Sequence, residues 1–271
     1  MQKDKAFFDR LYKRYNKRAL ATPDPLQFLY EYPDLKDREI AALLGACFAY
    51  GNVKQIIKNV QALLSAMPGG PYAFITQHCT ADFKKTFSGF KYRFTTSREL
   101  CALLVNIKYI LEKYSTLEDC FLHYYKTEEE NILPALRAFA RQLRRGGEIS
   151  SLVPDPDKNS ALKRLNLFLR WMVRQDEVDP GGWEKISPAK LIVPLDVHMH
   201  RLGHMLGLTA RKQADMKAAL EITRSFARFC PHDPVKYDFC LTRFGIRDDM
   251  SYKDLSAKRH TKPRRKPPAK R

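Results

Sequence analysis

The stretch VPLDVHMHRLGHMLGL, residues 193–208, sets one aspartate and three histidines into otherwise apolar sequence. Three kinds of chemistry suit those residue types. Asp196, His200 and His204 fall on one face of a helix, which is adequate spacing for metal ligands. At 1.5 Å rise per residue, however, Asp196 and His204 lie ~12 Å apart along the axis. Only His200 and His204 could then share an ion, with no HExxH-type base beside them, so no metal is expected. A second reading is structural. Pro194 cannot sit inside a helix, so the helix starts after it and Asp196 becomes the N-cap, accepting first-turn amides. Leu202, Met205, Leu206 and Leu208 then supply the buried face, and Gly207 the stop. The third reading makes Asp196 half of a catalytic pair. It needs a partner, and Lys163 in SALKRLNLFLRW is the candidate, near the start of a helix that Asn159 or Ser160 can cap and that runs through about Arg174.

The elements that must hold these residues are helical by pattern. LKDREIAALLGACFAY (35–50) and NVKQIIKNVQALLSAM (52–67) place apolar residues at three- and four-residue spacing, with Gly51 and Asn52 between them. SRELCALLVNIKYILEKY (97–114), TLEDCFLHYY (116–125) and ENILPALRAFARQLRR (130–145) repeat the pattern. Ser97 and Thr116 are the expected N-caps of the first two. FSGFKYRFTT (87–96) alternates like a strand and reads as an extended connector. Two prolines in VPDPDKN prevent a continuous helix there. After a Pro- and Gly-rich loop come the Asp196 helix, ARKQADMKAALEITRSFARF and a last helix begun by HDPVKYDFCLTRFGI. The expectation is an all-α fold of two lobes over residues 1–257, followed by a disordered basic tail at 258–271.

Composition narrows the partners. The net charge of the 271-residue chain is +18. Residues 258–271 carry eight Lys/Arg and no acid, leaving +10 on residues 1–257. A basic body suits a polyanion, and nucleic acid rewards such a surface through counterion release. No apolar run approaches the ~20 residues of a membrane span, and the N-terminus has no secretory pattern. The six cysteines form no CxxC pair, so neither a zinc knuckle nor a disulfide framework is expected. A cytoplasmic, nucleoid-associated monomer without a membrane partner follows as the expectation.

The motifs also carry a resemblance. LDVHMHRLGHMLGL resembles the V-D-T-H-V-x-R-V-x-x-R-L-G-L segment of the helix-hairpin-helix base-excision DNA glycosylases. NSALKRLNLFL is similar to their second hairpin helix, with Lys163 at the catalytic lysine position. DPVKYDFCLTRFGI resembles the closing helix with its L-x-x-x-G, and AALLGACFAYGNVKQIIKNV the early helical pair. The likeness is loose over residues 36–67 and closer over 150–246, with the hairpin region at about 150–175. The chain as a whole also resembles an uncharacterised bacterial family, domain of unknown function 2400. VPDPDKNS replaces the usual L-P-G-V-G turn. The long Lys163-to-Asp196 segment looks most like the archaeal 8-oxoguanine glycosylase branch. No four-cysteine motif follows Gly245, so no iron–sulfur cluster or other cofactor is expected.

The resemblance implies duplex DNA as partner, Lys163 as nucleophile and Asp196 as its electrostatic partner or base. Breaking an N-glycosidic bond builds positive charge on the sugar, which a nearby carboxylate stabilises. A neutral lysine amine attacking C1′ leaves a Schiff base, from which the 3′ phosphate is lost. A base must leave the stack to be reached, so aromatic pocket walls are expected at Phe168, Trp171, Trp183 and Phe239. A wedge into the duplex is expected at Tyr50 to Asn52. Asn159, Ser160, Arg164, His198 and His200 are expected to contact the nucleic acid. Two rivals remain: a non-catalytic module that holds DNA or RNA on the same scaffold, and a metal-dependent hydrolase using His200 and His204.

Overall fold

Polar caps and buried stripes punctuate the chain into helices, and the computed structural model describes them over residues 4–147 and 149–256. The expected tail at 258–271 lies outside the described residues. Helix α1 (Lys5–Tyr15) starts where the Asp4 carboxylate accepts from the Phe7 amide. Its Phe8 packs edge-on against Phe226 and tilted against Tyr237, tying the N-terminus to the C-terminal helices.

Helix α2 (Leu35–Cys47) is buried on every side from Glu39 to Cys47, as its run of small and aliphatic residues requires. It packs against both α9 (Lys163–Val173) and the 3-10 segment Pro25–Glu31. Helix α3 (Val53–Ser65) follows a turn through Gly51 and is capped by Asn52. Two short helices not expected from the sequence come next, α4 (Pro71–Gln77) and α5 (Thr80–Thr86).

Residues 91–96 are not an open connector but a hairpin, β1 (Lys91–Tyr92) paired antiparallel to β2 (Thr95–Thr96), with Lys91 opposite Thr96. Helix α6 (Ser97–Tyr114) runs as the pattern predicts, but its cap is Thr96 rather than Ser97. The reason is reciprocal bonding: Thr96 Oγ1 accepts from the Glu99 amide while the Glu99 carboxylate accepts from that of Thr96. Helices α7 (Leu117–Leu122) and α8 (Leu133–Leu143) pack on α6. The start of α7 has a second acceptor besides Thr116. Glu39 from α2 takes the amides of Leu117 and Glu118, at 2.7 and 3.2 Å, and the Trp183 indole N–H at 3.2 Å. Burial nonetheless pushes the Glu39 carboxyl up to about 7.

The C-terminal part comprises α9, α10 (Val197–Met205), α11 (Met216–Ala227), α12 (Asp238–Ile246) and the short α13 (Lys253–Ser256). Beneath them lies a buried ionic network that periodicity did not reveal. Arg170 on α9 and Arg174, the residue that follows its last turn, share Asp179. Arg170 also pairs with Asp238 of α12, and Arg174 with Asp176 and Asp233. Each buried guanidinium is thus matched by carboxylates, the condition under which such charges are tolerated. The buried apolar side chains from Phe8 to Leu255 form one connected core.

Candidate active site

Asp196 sits where the proline rule places it, one residue before α10. Its Oδ1 accepts from the amides of His198 and Met199, at 2.9 and 2.8 Å. Its other oxygen has no hydrogen bond among the described residues. The helix ends as expected, with Gly207 at φ +69° after the last turn and the Leu208 amide returning to the Gly203 carbonyl at 2.8 Å. Met199 and Leu202 supply the fully buried positions, whereas Met205, expected inside, is exposed.

Lys163 is the first residue of α9, two to three residues later than the sequence suggests. The delay has a local cause. Ser160 forms a β-bridge with Asp215, and the Met216 amide donates to the Asn159 carbonyl, so this stretch is extended rather than helical. Leu162 then turns through the left-handed region, φ +47°, and the helix begins. A buried leucine in that conformation is uncommon and costs about 1–2 kcal/mol. Ser160 Oγ accepts from the Leu162 amide at 3.3 Å, but among the described residues no side chain caps α9 itself. Its first-turn amides are therefore left uncapped.

Lys163 and Asp196 line one cleft of about 1330 Å³. Its walls come from the α2–α3 turn, the hairpin tip, the loop before α9, the start of α10 and the end of α12. Lys163 is half-buried, and its Nζ donates to the Ala49 carbonyl at 3.4 Å. No carboxylate pairs with it among the described residues. Behind Asp196, burial raises the Asp238 carboxyl to about 6; Arg170 pulls it down and the nearby Asp196 charge pushes it up. Gly245, of the L-x-x-x-G segment, also lines the cleft. A Cβ there would lie 2.0 Å from the Tyr252 hydroxyl and 2.4 Å from His198 Nδ1. The missing side chain lets those two groups meet, at 2.9 Å.

The remaining expected contacts divide. Ser160, Tyr50, Asn52, Arg164 and His198 line the cleft. Asn159 is exposed beside it. Arg164, though in the lining, is turned inward, donating to the carbonyls of Cys47 and Ser151, and burial lowers its pKa. Tyr50 is committed as well: its hydroxyl bonds Thr95 Oγ1 at 2.7 Å and the Tyr92 carbonyl at 3.2 Å. Asn52 spends its side chain capping α3. His200 faces elsewhere. Its Nε2 and that of His204 both meet the Arg211 carbonyl, at 2.9 and 2.7 Å, where each can only donate. That engagement leaves no paired Nε2 lone pairs for an ion.

The expected aromatic pocket is a correction. Phe168, Trp171, Trp183 and Phe239 are all fully buried core residues. Phe168 stacks on Phe139 and meets Trp183 edge-on, so these rings are spent on packing. The apolar part of the cleft comes instead from Ile56, Phe94, Leu167, Leu195, Val197 and Ile246. The sequence signal for Phe94 was the alternation in KYRFTT, with two residues between short strands.

Fold and cleft together define an all-α protein with one cleft lined by both a lysine and a capped aspartate. Among the described residues no helix is long and apolar enough to cross a membrane. The chain belongs to the family described as protein of unknown function (DUF2400), which it matches over residues 24–247. No curated protein and no solved structure matches it.

Proposed function

We propose that the protein is a DNA N-glycosylase of the helix-hairpin-helix class with lyase activity, acting on a damaged base, with an oxidised purine the first substrate to try. The observation that carries this reading is the shared cleft: Lys163 lines it without a carboxylate partner, and Asp196 is held there by one oxygen with the other unengaged. In the reaction, the nitrogen lone pair of the Lys163 amine bonds to C1′ as the glycosidic C–N bond breaks. The bonding pair leaves with the base, which takes up a proton. Asp196 stabilises the positive charge that develops on the sugar, and its fixed position costs nothing at that moment. Loss of the amine protons and opening of the sugar ring give the Schiff base, and β-elimination then releases the 3′ phosphate. The uncapped start of α9 offers amides to a backbone phosphate, replacing the glycine-rich turn that VPDPDKNS lacks.

The test is covalent trapping. Duplex containing 8-oxoguanine or an abasic site, incubated with protein and borohydride, is expected to yield a reduced adduct that Lys163→Ala abolishes. The net charge of +18 favours a second reading, a module that binds duplex without cutting it. Absence of any adduct across a lesion panel, together with duplex binding that falls steeply with salt, would overturn the enzymatic reading in favour of that one.

A further inference from the structure

The most exposed bulky apolar side chain among the described residues is Phe94, at 75 %. It stands at the tip of the β1–β2 hairpin and on the lining of the cleft. A single exposed apolar residue is ordinary; what sets this one apart is how firmly its support is built. The two-residue tip needs Arg93 at φ +51°, a conformation that L-residues rarely adopt. Below it, the Tyr92 hydroxyl donates to the Tyr50 carbonyl, and the Tyr50 and Tyr92 rings pack at 5.0 Å. Thr95 Oγ1 bonds the Tyr50 hydroxyl at 2.7 Å and Ser151 Oγ at 2.6 Å. Three separate segments of the cleft wall are thereby joined under the tip.

Arg93 is clamped in turn. Its guanidinium lies 5.9 Å from the Tyr50 ring centroid and 5.7 Å from that of Phe94. It covers Gly51, where a Cβ would stand 2.4 Å from an Arg93 terminal nitrogen. Gly51 lacks a side chain because of its φ of +94°; the Arg93 guanidinium, the end of a flexible side chain, rests in the space this leaves. Lys91 on β1 and Lys54 in the cleft lining, both exposed, add positive charge. The result is an exposed aromatic face on a hydrogen-bonded backbone support, edged by cations, at the mouth of a cleft. Such a combination fits a nucleobase with its phosphates, and a braced backbone lowers the entropy lost on stacking.

We infer that Arg93 and Phe94 form a base-stacking finger: the Phe94 ring inserts against a base of duplex DNA at the cleft mouth, and Arg93 and Lys91 take the neighbouring phosphates. The inference rests on the nucleic-acid part of the proposed function and not on its catalytic part. It also moves the expected wedge away from Tyr50, which holds the finger, and from Asn52, which caps α3.

The experiment uses the full chain and a duplex bearing 2-aminopurine, whose fluorescence rises when the base is unstacked. Wild type is expected to bind and raise the signal. Phe94→Ala is expected to bind roughly 5- to 150-fold more weakly, the equivalent of about 1–3 kcal/mol per stacked base. It should lose the fluorescence rise, keep the salt dependence because no cation is removed, and melt as wild type does. Phe94→Trp should restore affinity and signal. Wild-type affinity and an undiminished rise in Phe94→Ala would overturn the finger and leave duplex binding standing. Failure of wild type to bind duplex at low salt would overturn both.

Discussion

Asp196 caps the start of a helix and lines a cleft with one side chain, and substitutions can separate the two roles. Its Oδ1 holds the amides of His198 and Met199. Asp196→Ala removes that acceptor, and loss of such a cap costs about 0.5–2 kcal/mol, typically ~1. It also removes a carboxylate from a helix N-terminus, a further ~0.3–1 kcal/mol. Asp196→Asn keeps a cap oxygen of similar strength and loses only the second contribution. For a chain of this size about 1 kcal/mol moves the melting temperature by roughly 2–4 °C. Alanine should therefore lower Tm by several degrees and asparagine by at most about half as much.

Catalysis should show the opposite ranking of information. Both variants lack the charge that stabilises the developing cation, and losing one such group costs on the order of 10²- to 10³-fold in rate. The assay is single-turnover base release from lesion duplex at fixed pH, run beside urea melts of the same preparations. Asparagine is the decisive variant: near-native stability with a rate lowered at least a hundredfold, in keeping with that same loss. A wild-type rate in Asp196→Asn would refute the catalytic role. Equal losses of stability in Asn and Ala would refute the cap as the source of its position.

Two further outcomes follow from the buried charges. Asp179→Ala leaves Arg170 and Arg174 without the carboxylate they share. Stranding buried charge in this way costs about 3–5 kcal/mol, so the urea midpoint should collapse; a loss below about 1 kcal/mol would mean the remaining aspartates suffice. Glu39 sets a pH dependence of definite sign. Its carboxyl is raised from the ordinary 4.5 to about 7 by burial, so between those values the native state holds a proton the unfolded chain has released. Stability should then fall as pH rises through that window, by up to about 3 kcal/mol, and level off above it. Urea melts from pH 4 to 8 should show that slope in wild type and a flatter one in Glu39→Gln; identical slopes would contradict the assignment.

The legible parts of this fold were those decided within one or two turns of chain. Helix α6 matches its periodic run over residues 97–114, and the Asp196 cap and Gly207 stop follow from proline, carboxylate and glycine chemistry alone. What escaped was decided by neighbours distant in sequence. The α9 helix starts late because Ser160 pairs with Asp215. KYRFTT becomes a hairpin because Tyr50 reaches across to Thr95 and Tyr92. Aromatic identity could not tell core from pocket: Trp171 and Trp183 have the same composition signal as Phe94 and the opposite burial. Arg170 and Arg174 carry no local sign of their burial; it follows from Asp179, Asp233 and Asp238 being brought against them by the fold.

That hidden network bears on the cleft as well as on stability. Lys163 and Arg170 lie on the same helix, and Asp238 opens α12, the helix against which α10 and its cap Asp196 are packed. The Arg170–Asp238 pair therefore fixes the register of the lysine's helix against the aspartate's support, with both charges nearly dry. A hydrophobic contact of equal area would permit a sliding of α9 by part of a turn, whereas a paired, desolvated guanidinium permits only one position without exposing an unpaired charge. The strained turn at Leu162 acts at the other end of α9, setting where the helix begins and so which side chain comes first. Two distant constraints, one ionic and one backbone, thus bear on which side chain α9 turns into the cleft that Asp196 also lines: Lys163 rather than its neighbour Arg164, whose guanidinium is drawn into the wall by the Cys47 and Ser151 carbonyls.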